Sequence, residues 1–142
     1  MRLYVAASAS NYALAEDLAR DIRCWGHEVT SEWHQQEVPP TYENQEMRGN
    51  EVISNMAKAA CMDETHVRIA DAIVIITGDT ATRGGRHSEC GIAIALGKRV
   101  YLLGPREQVF HWHPLCCPCN DKNALRVALD MAPPFFSAPE HS

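Results

Sequence analysis

The sequence predicts an α/β domain of three layers, with helices covering both faces of a mostly parallel five-stranded sheet. Residues 72–76 read Ala-Ile-Val-Ile-Ile, a continuous apolar run of the kind buried on both faces of a parallel sheet. Short runs of this type alternate with stretches of helical periodicity in the order βαβαβαβα, the pattern that right-handed crossovers between parallel strands produce. A length of 142 residues, 46% of them hydrophobic, suits one compact domain with a core of its own.

Residues 3–7 are rich in strand formers, and Ser8, Ala9, Ser10 and Asn11 then turn the chain and cap a helix. Over 12–25 the apolar residues Ala13, Leu14, Leu18, Ala19 and Ile22 fall on one helical face, which Gly26 ends. A second strand is expected over 28–33. Residues 35–44 contain Pro39 and Pro40 and read as a long loop, of a length that often covers a site. Helical periodicity returns near Asn50 and runs to about Ala70, giving way to the central strand at 72–76. Gly84 and Gly85 precede a helix from about His87 to Leu96 that Gly97 stops, and residues 99–103 supply another strand before Gly104 and Pro105. A helix over about 121–131 closes the domain. The arrangement is Rossmann- or flavodoxin-like, and these runs locate four of its five strands. The domain spans 1–132, and the tail 133–142, with three prolines, is expected to be loosely held.

The formal net charge of −5 and the scatter of the 13 Lys and Arg argue against a nucleic-acid polymer as partner. No apolar run approaches the ~20 residues that span a bilayer, and the first residues have neither the apolar stretch nor the flanks of a secretory signal. A cytoplasmic protein with no membrane partner is expected. In a reducing cytosol the six cysteines read as free thiols. His111, His113, Cys116, Cys117 and Cys119 are zinc-type donors, but their spacing matches no paired C-x2-C pattern, and neither metal nor other cofactor is expected.

In open parallel sheets ligands bind beyond the carboxyl ends of the strands, here reached by residues 7–11, 77–88 and 104–118. Glu89 lies in the opening turns of the helix after the central strand and shares a stripe with Ile92, Ala93 and Leu96 that faces the sheet. The helix macrodipole favours its ionised form, which suits a nucleophile. Satisfying free amides at the helix start is an equally good use of such an acid. The preceding loop offers Arg83, Gly84, Gly85, Arg86 and Ser88 to an anion such as a phosphate. Ser8 and Ser10 add hydroxyls at the same edge, where turn formation and capping are their plainer roles. Asp63 falls on the stripe of Ala60, Val67 and Ala70, where burial would raise its pKa and let it donate a proton. Alternatively, Asp63 and Glu64 form a solvated acidic pair. Asp71 reads as a structural acid bonding backbone at the strand entry.

The stretches LYVAAS, the aspartate eight residues before DAIVII, and above all GGRHSECGIAIALGKRV resemble the nucleoside 2-deoxyribosyltransferase-like family, which includes nucleoside 5′-monophosphate N-glycosidases. The similarity spans residues 2–113, and the E-x-G-x-A-x-A-x-GK element is its most specific part. The resemblance implies cleavage of an N-glycosidic bond through a covalent glycosyl–enzyme intermediate. It assigns the nucleophile to Glu89, the second acid to Asp63, and to Tyr4 the orienting of the nucleophile. Water as acceptor makes a hydrolase and a second base a transferase. The family's transferases carry an aspartate six residues before the nucleophile, where this chain has Arg83; an arginine there would pair with a 5′-phosphate, and Arg86 is the alternative. The implied partner is a small-molecule nucleoside or nucleotide, bound by a homo-oligomer; the stretch 110–119, rather than a zinc site, reads as a pocket wall whose Phe110, His111 or Trp112 can stack on a base. A non-catalytic nucleotide-binding module of the same fold is the alternative.

Overall fold

The structure, a computed structural model, describes residues 1–35, 50–78 and 85–131, with side chains from residue 55 onward in the second stretch. The described residues form five parallel strands, β1 (Arg2–Ala6), β2 (Glu28–Val29), β3 (Ala72–Ile76), β4 (Arg99–Leu103) and β5 (Cys116–Cys119), in the order β2-β1-β3-β4-β5. Helices α1 (Tyr12–Cys24), α2 (Asn50–Ile69), α3 (Gly85–Ala95) and α4 (Lys122–Met131) flank the sheet, giving the expected three layers. The winding reverses between β1 and β3, so a crevice opens at their carboxyl ends.

Side-chain alternation along the strands divides the core in two. Leu3 and Val5 of β1 and Val74 of β3 pack with Leu18, Ala19 and Ile22 of α1 and Leu125 and Leu129 of α4. Tyr4 and Ala6 of β1 point the other way, with Ile73 and Ile75, toward Val67 of α2 and Cys90 and Ala93 of α3. The buried face of α1 is Ala15, Leu18, Ala19 and Ile22, whereas Ala13 and Leu14 are exposed, so the expected apolar stripe was out of phase at its start. Gly26 follows α1 with φ 95°, the left-handed geometry that ends a helix most easily at glycine. Lys98, after α3, donates to the carbonyls of Val67, Arg68 and Ala70 and thereby caps the carboxyl end of α2. Asp71 accepts from the Arg2 amide at 2.7 Å, the strand-entry role expected of it.

Two strands differ from expectation. β2 pairs only over Glu28–Val29 because polar side chains take over its ladder. Ser31 Oγ accepts from the Val5 amide at 3.0 Å, and Trp33 Nε1 donates to the Val5 carbonyl at 2.8 Å. Ser31 Oγ lies 2.7 Å from His34 Nε2, and His34 Nδ1 lies 2.6 Å from Glu16 Oε2. Burial pushes the His34 pKa down, so the neutral ring accepts from Ser31 and donates to Glu16. This Ser-His-Glu chain has the partners of a hydrolytic triad, but Ser31 is fully buried and engaged with the backbone, so it secures β1 instead. Replacing Ser31 with alanine leaves the Val5 amide and His34 Nε2 unpaired and is expected to cost about 1–3 kcal/mol. Denaturant unfolding checks this; an unchanged midpoint would contradict it.

The fifth strand, β5, lies within the segment 110–119 expected to be a pocket wall. Among the described residues it pairs only with β4, and an edge position tolerates Pro118. The expected loop over 35–44 lies beyond Gln35 outside the described residues, and so does the tail. Among the described residues no helix is long and apolar enough to cross a membrane.

Candidate active site

Parity along β1 turns Tyr4 toward α2 and α3, and each of those helices brings one acid to the same place. Tyr4 is fully buried; burial pushes its pKa up, and the nearby Glu89 and Asp63 carboxylates push it further. Residues of β1, α2 and α3 far apart in sequence therefore form one electrostatic cluster.

Glu89 is the fifth residue of α3, because the helix begins at Gly85, two residues earlier than expected. That places it in the second turn, beyond the amides a first-turn acid would satisfy. Its Oε2 is sealed from solvent and, among the described residues, neither it nor the Tyr4 hydroxyl has a hydrogen-bond partner. The two still interact across the cluster, and this contact favours the Glu89 anion. Burial outweighs it: desolvation, opposed by Tyr4 and reinforced by the Asp63 charge, raises the Glu89 pKa to about 8. The expectation that the macrodipole keeps Glu89 ionised is thereby corrected, since that field fades beyond the first turn. The stripe is also shifted: Arg86, Cys90 and Ala93 are buried, Glu89 and Ile92 sit at its margin, and Leu96 is 41% exposed.

Asp63 and Glu64 diverge. Glu64 pairs with Arg68 at 3.6 Å on the solvent side of α2, while Asp63 is half-buried beside Val67. Ala60 of the expected stripe is exposed. Burial raises the Asp63 pKa to about 6, although the His66 charge opposes the shift. His66 was missed in the sequence, where its i+3 spacing from Asp63 was the available signal.

The remaining candidates are dispersed along the crevice edge. Ser8 is buried and its hydroxyl meets that of Ser10 at 2.6 Å, with no side-chain cap on the turn that follows. Gly85 opens α3, and a Cβ there would meet nothing within 4 Å. Ser88 is exposed on α3. Arg86 is only 3% exposed, and its Nε and Nη2 each lie 3.3 Å from Glu107 Oε1, a partner no sequence pattern announced. Arg83 and Gly84 lie outside the described residues.

Phe110 and Trp112 are 57% and 64% exposed, and Arg106 stacks over the Trp112 ring at 5.4 Å. His111 is buried with Nδ1 accepting from the Glu107 amide, and His113 Nδ1 accepts from the Leu115 amide. Among the described residues no group of three or more His, Cys, Asp or Glu is placed to hold a metal ion.

No protein-family model and no curated protein sequence matches the chain significantly. Solved structures do. A 2-deoxyribosyltransferase from Bacillus psychrosaccharolyticus is 21% identical with a TM-score of 0.66, over 89% of this chain and 90% of its own. A CMP N-glycosidase from Clostridium botulinum is 18% identical with a TM-score of 0.55, over 92% of this chain and 100% of its own. A conserved protein from Enterococcus faecalis V583 is 20% identical with a TM-score of 0.50, over 80% and 70% of the two chains. The fold is thus one shared with a 2-deoxyribosyltransferase and a CMP N-glycosidase.

Proposed function

We propose that this protein cleaves the N-glycosidic bond of a nucleoside 5′-monophosphate or nucleoside, ribo or deoxy, through a glycosyl ester on Glu89. The convergence of Tyr4, Asp63 and Glu89 in one electrostatic cluster carries the proposal, and the likeness in fold to a deoxyribosyltransferase and a CMP N-glycosidase supports it. A Glu89 oxygen bonds to C1′ as the C1′–N bond breaks and its electron pair leaves with the base. Asp63 supplies the base with a proton. Water, deprotonated by Asp63, then releases the sugar, or a second base takes it. Tyr4 orients the Glu89 carboxylate. Ser8, Ser10, Gly85, Arg86 and Ser88, with Arg83 and Gly84, are the proposed surroundings of the sugar and its phosphate. A homo-oligomer in the cytoplasm completes the proposal.

With pKa values of about 6 and about 8, Asp63 and Glu89 together hold one proton at neutral pH. One anion and one acid is the count the reaction needs, with the negative charge on Glu89 and the proton on Asp63 or the base at the moment of attack. The dependence of kcat/KM on pH is therefore expected to be bell-shaped, with limbs near 6 and 8. Activity rising steadily through pH 9 would contradict a required acid.

Incubation with a panel of nucleosides and nucleotides, followed by chromatography for free base with and without an added acceptor base, tests the function. Base release supports it, and base exchange identifies a transferase. Tight retention of a ligand without turnover across the panel would favour a binding module.

A further inference from the structure

We propose that Glu107, in the loop after β4, is a positioning residue for the reaction proposed above, acting through Arg86 and the backbone at Gly78 on the helix that carries Glu89. Its carboxylate is shared between two elements. Oε2 accepts from the Gly78 amide at 3.2 Å, just beyond β3. Oε1 takes Nε and Nη2 of Arg86, each at 3.3 Å, in the first turn of α3. The Arg86 side chain is 3% exposed and that of Glu107 18%, so the guanidinium lies inside the fold and the Glu107 carboxylate reaches in to it from an exposed loop residue. One carboxylate thus ties the exit of β3 to the start of α3, three residues before Glu89.

The support behind Glu107 is itself fixed. The Glu107 amide donates to buried His111 Nδ1 at 2.9 Å, and the Arg106 Nε donates to the His111 carbonyl at 3.1 Å. Thr77 Oγ1 donates to the Pro105 carbonyl at 2.7 Å, joining the exits of β3 and β4. Gly104 has φ 127°, and a Cβ there would come within 2.5 Å of Thr77 Oγ1, so the two exits meet too closely for any side chain. A Glu107 anchored this firmly holds α3 at a set height above β3, and a displacement of about 1 Å in a reacting group is enough to slow an attack that depends on alignment.

The test compares Glu107→Gln, Glu107→Ala, Arg86→Ala and the double variant Arg86→Ala/Glu107→Ala with the wild type, on a substrate found in the base-release panel. Rates are taken per folded molecule, well below each melting temperature. The expected result for the two Glu107 variants is a kcat lower by about 10-fold or more with KM within about 3-fold; Arg86→Ala also loses a proposed phosphate contact and so raises KM as well, and the double variant has a kcat no lower than the worse single, as for residues acting as one unit. Amide exchange is expected to accelerate at Gly78 and over residues 89–92, the first amides of α3 with intrahelical acceptors, but not in β4 or β5. A kcat per folded molecule equal to wild type overturns the proposal, and so does a rise in KM alone, which would assign Glu107 to holding substrate. A wild type that releases no base defeats the functional proposal instead; exchange then decides alone, and unchanged protection at Gly78 and over residues 89–92 in Glu107→Gln overturns the positioning role.

Discussion

Glu89→Gln is expected to lower base release by at least about 10³-fold while making the protein more resistant to heat above pH 8. The amide is nearly isosteric, so the fold survives, but it is too poor a nucleophile to form the glycosyl ester. The gain in stability follows from the direction of the pKa shift. Glu89 rises from 4.5 to about 8 on folding, so between those values the unfolded chain has released a proton that the folded one retains. Stability from this group is complete below its unfolded pKa and is lost as pH climbs through about 8. Glutamine removes the loss, which is on the order of a few kcal/mol for a group at the margin of the core. The difference in melting temperature should be near zero at pH 4, grow through pH 8 and then level at about 5 °C or more. A variant with no gain at pH 9 would show that Glu89 does not ionise against its surroundings.

Asp63→Asn is expected to slow release of ordinary bases by about 10²- to 10⁴-fold. It should have little effect on an N7-methylated purine nucleoside, whose base departs neutral without a proton. Steady-state rates on the two substrates separate the roles: equal losses on both would mean that Asp63 acts on the sugar or the fold. Because the Asp63 charge raises the Glu89 pKa, the variant should also lower the pH at which Glu89 titrates, which carboxyl NMR can follow. The stabilisation from Asp63→Asn should appear at lower pH than that from Glu89→Gln and be smaller, since Asp63 rises only from 3.8 to about 6.

What could be seen in the sequence divides along a physical line. β3 was visible because both of its faces are buried and every position must be apolar. Asp63 and Glu89 stood out as acids on helical stripes and Tyr4 only through the family resemblance; their meeting in one cluster depends on how α2 and α3 pack on β1. The extent of β2 was not, since it ends where Ser31 and Trp33 supply hydrogen bonds through their side chains. β5 was hidden by Pro118 and its cysteines, which resemble a strand only where an edge position permits it. Charge state was also out of reach: position on α3 suggested an ionised Glu89, and only the depth of its burial shows that desolvation wins. Glu107 left no local trace because its partners, Gly78 and Arg86, lie after β3 and in α3, brought to it by the pairing of β3 with β4.

A slow 2′-fluorinated substrate, quenched during turnover and analysed by mass spectrometry of the intact chain and its peptides, tests the chemistry directly. The protein should gain the mass of the glycosyl group on the peptide containing Glu89, and Glu89→Gln should gain none. A covalent adduct on another residue, or full turnover by Glu89→Gln, would contradict the assignment of the nucleophile.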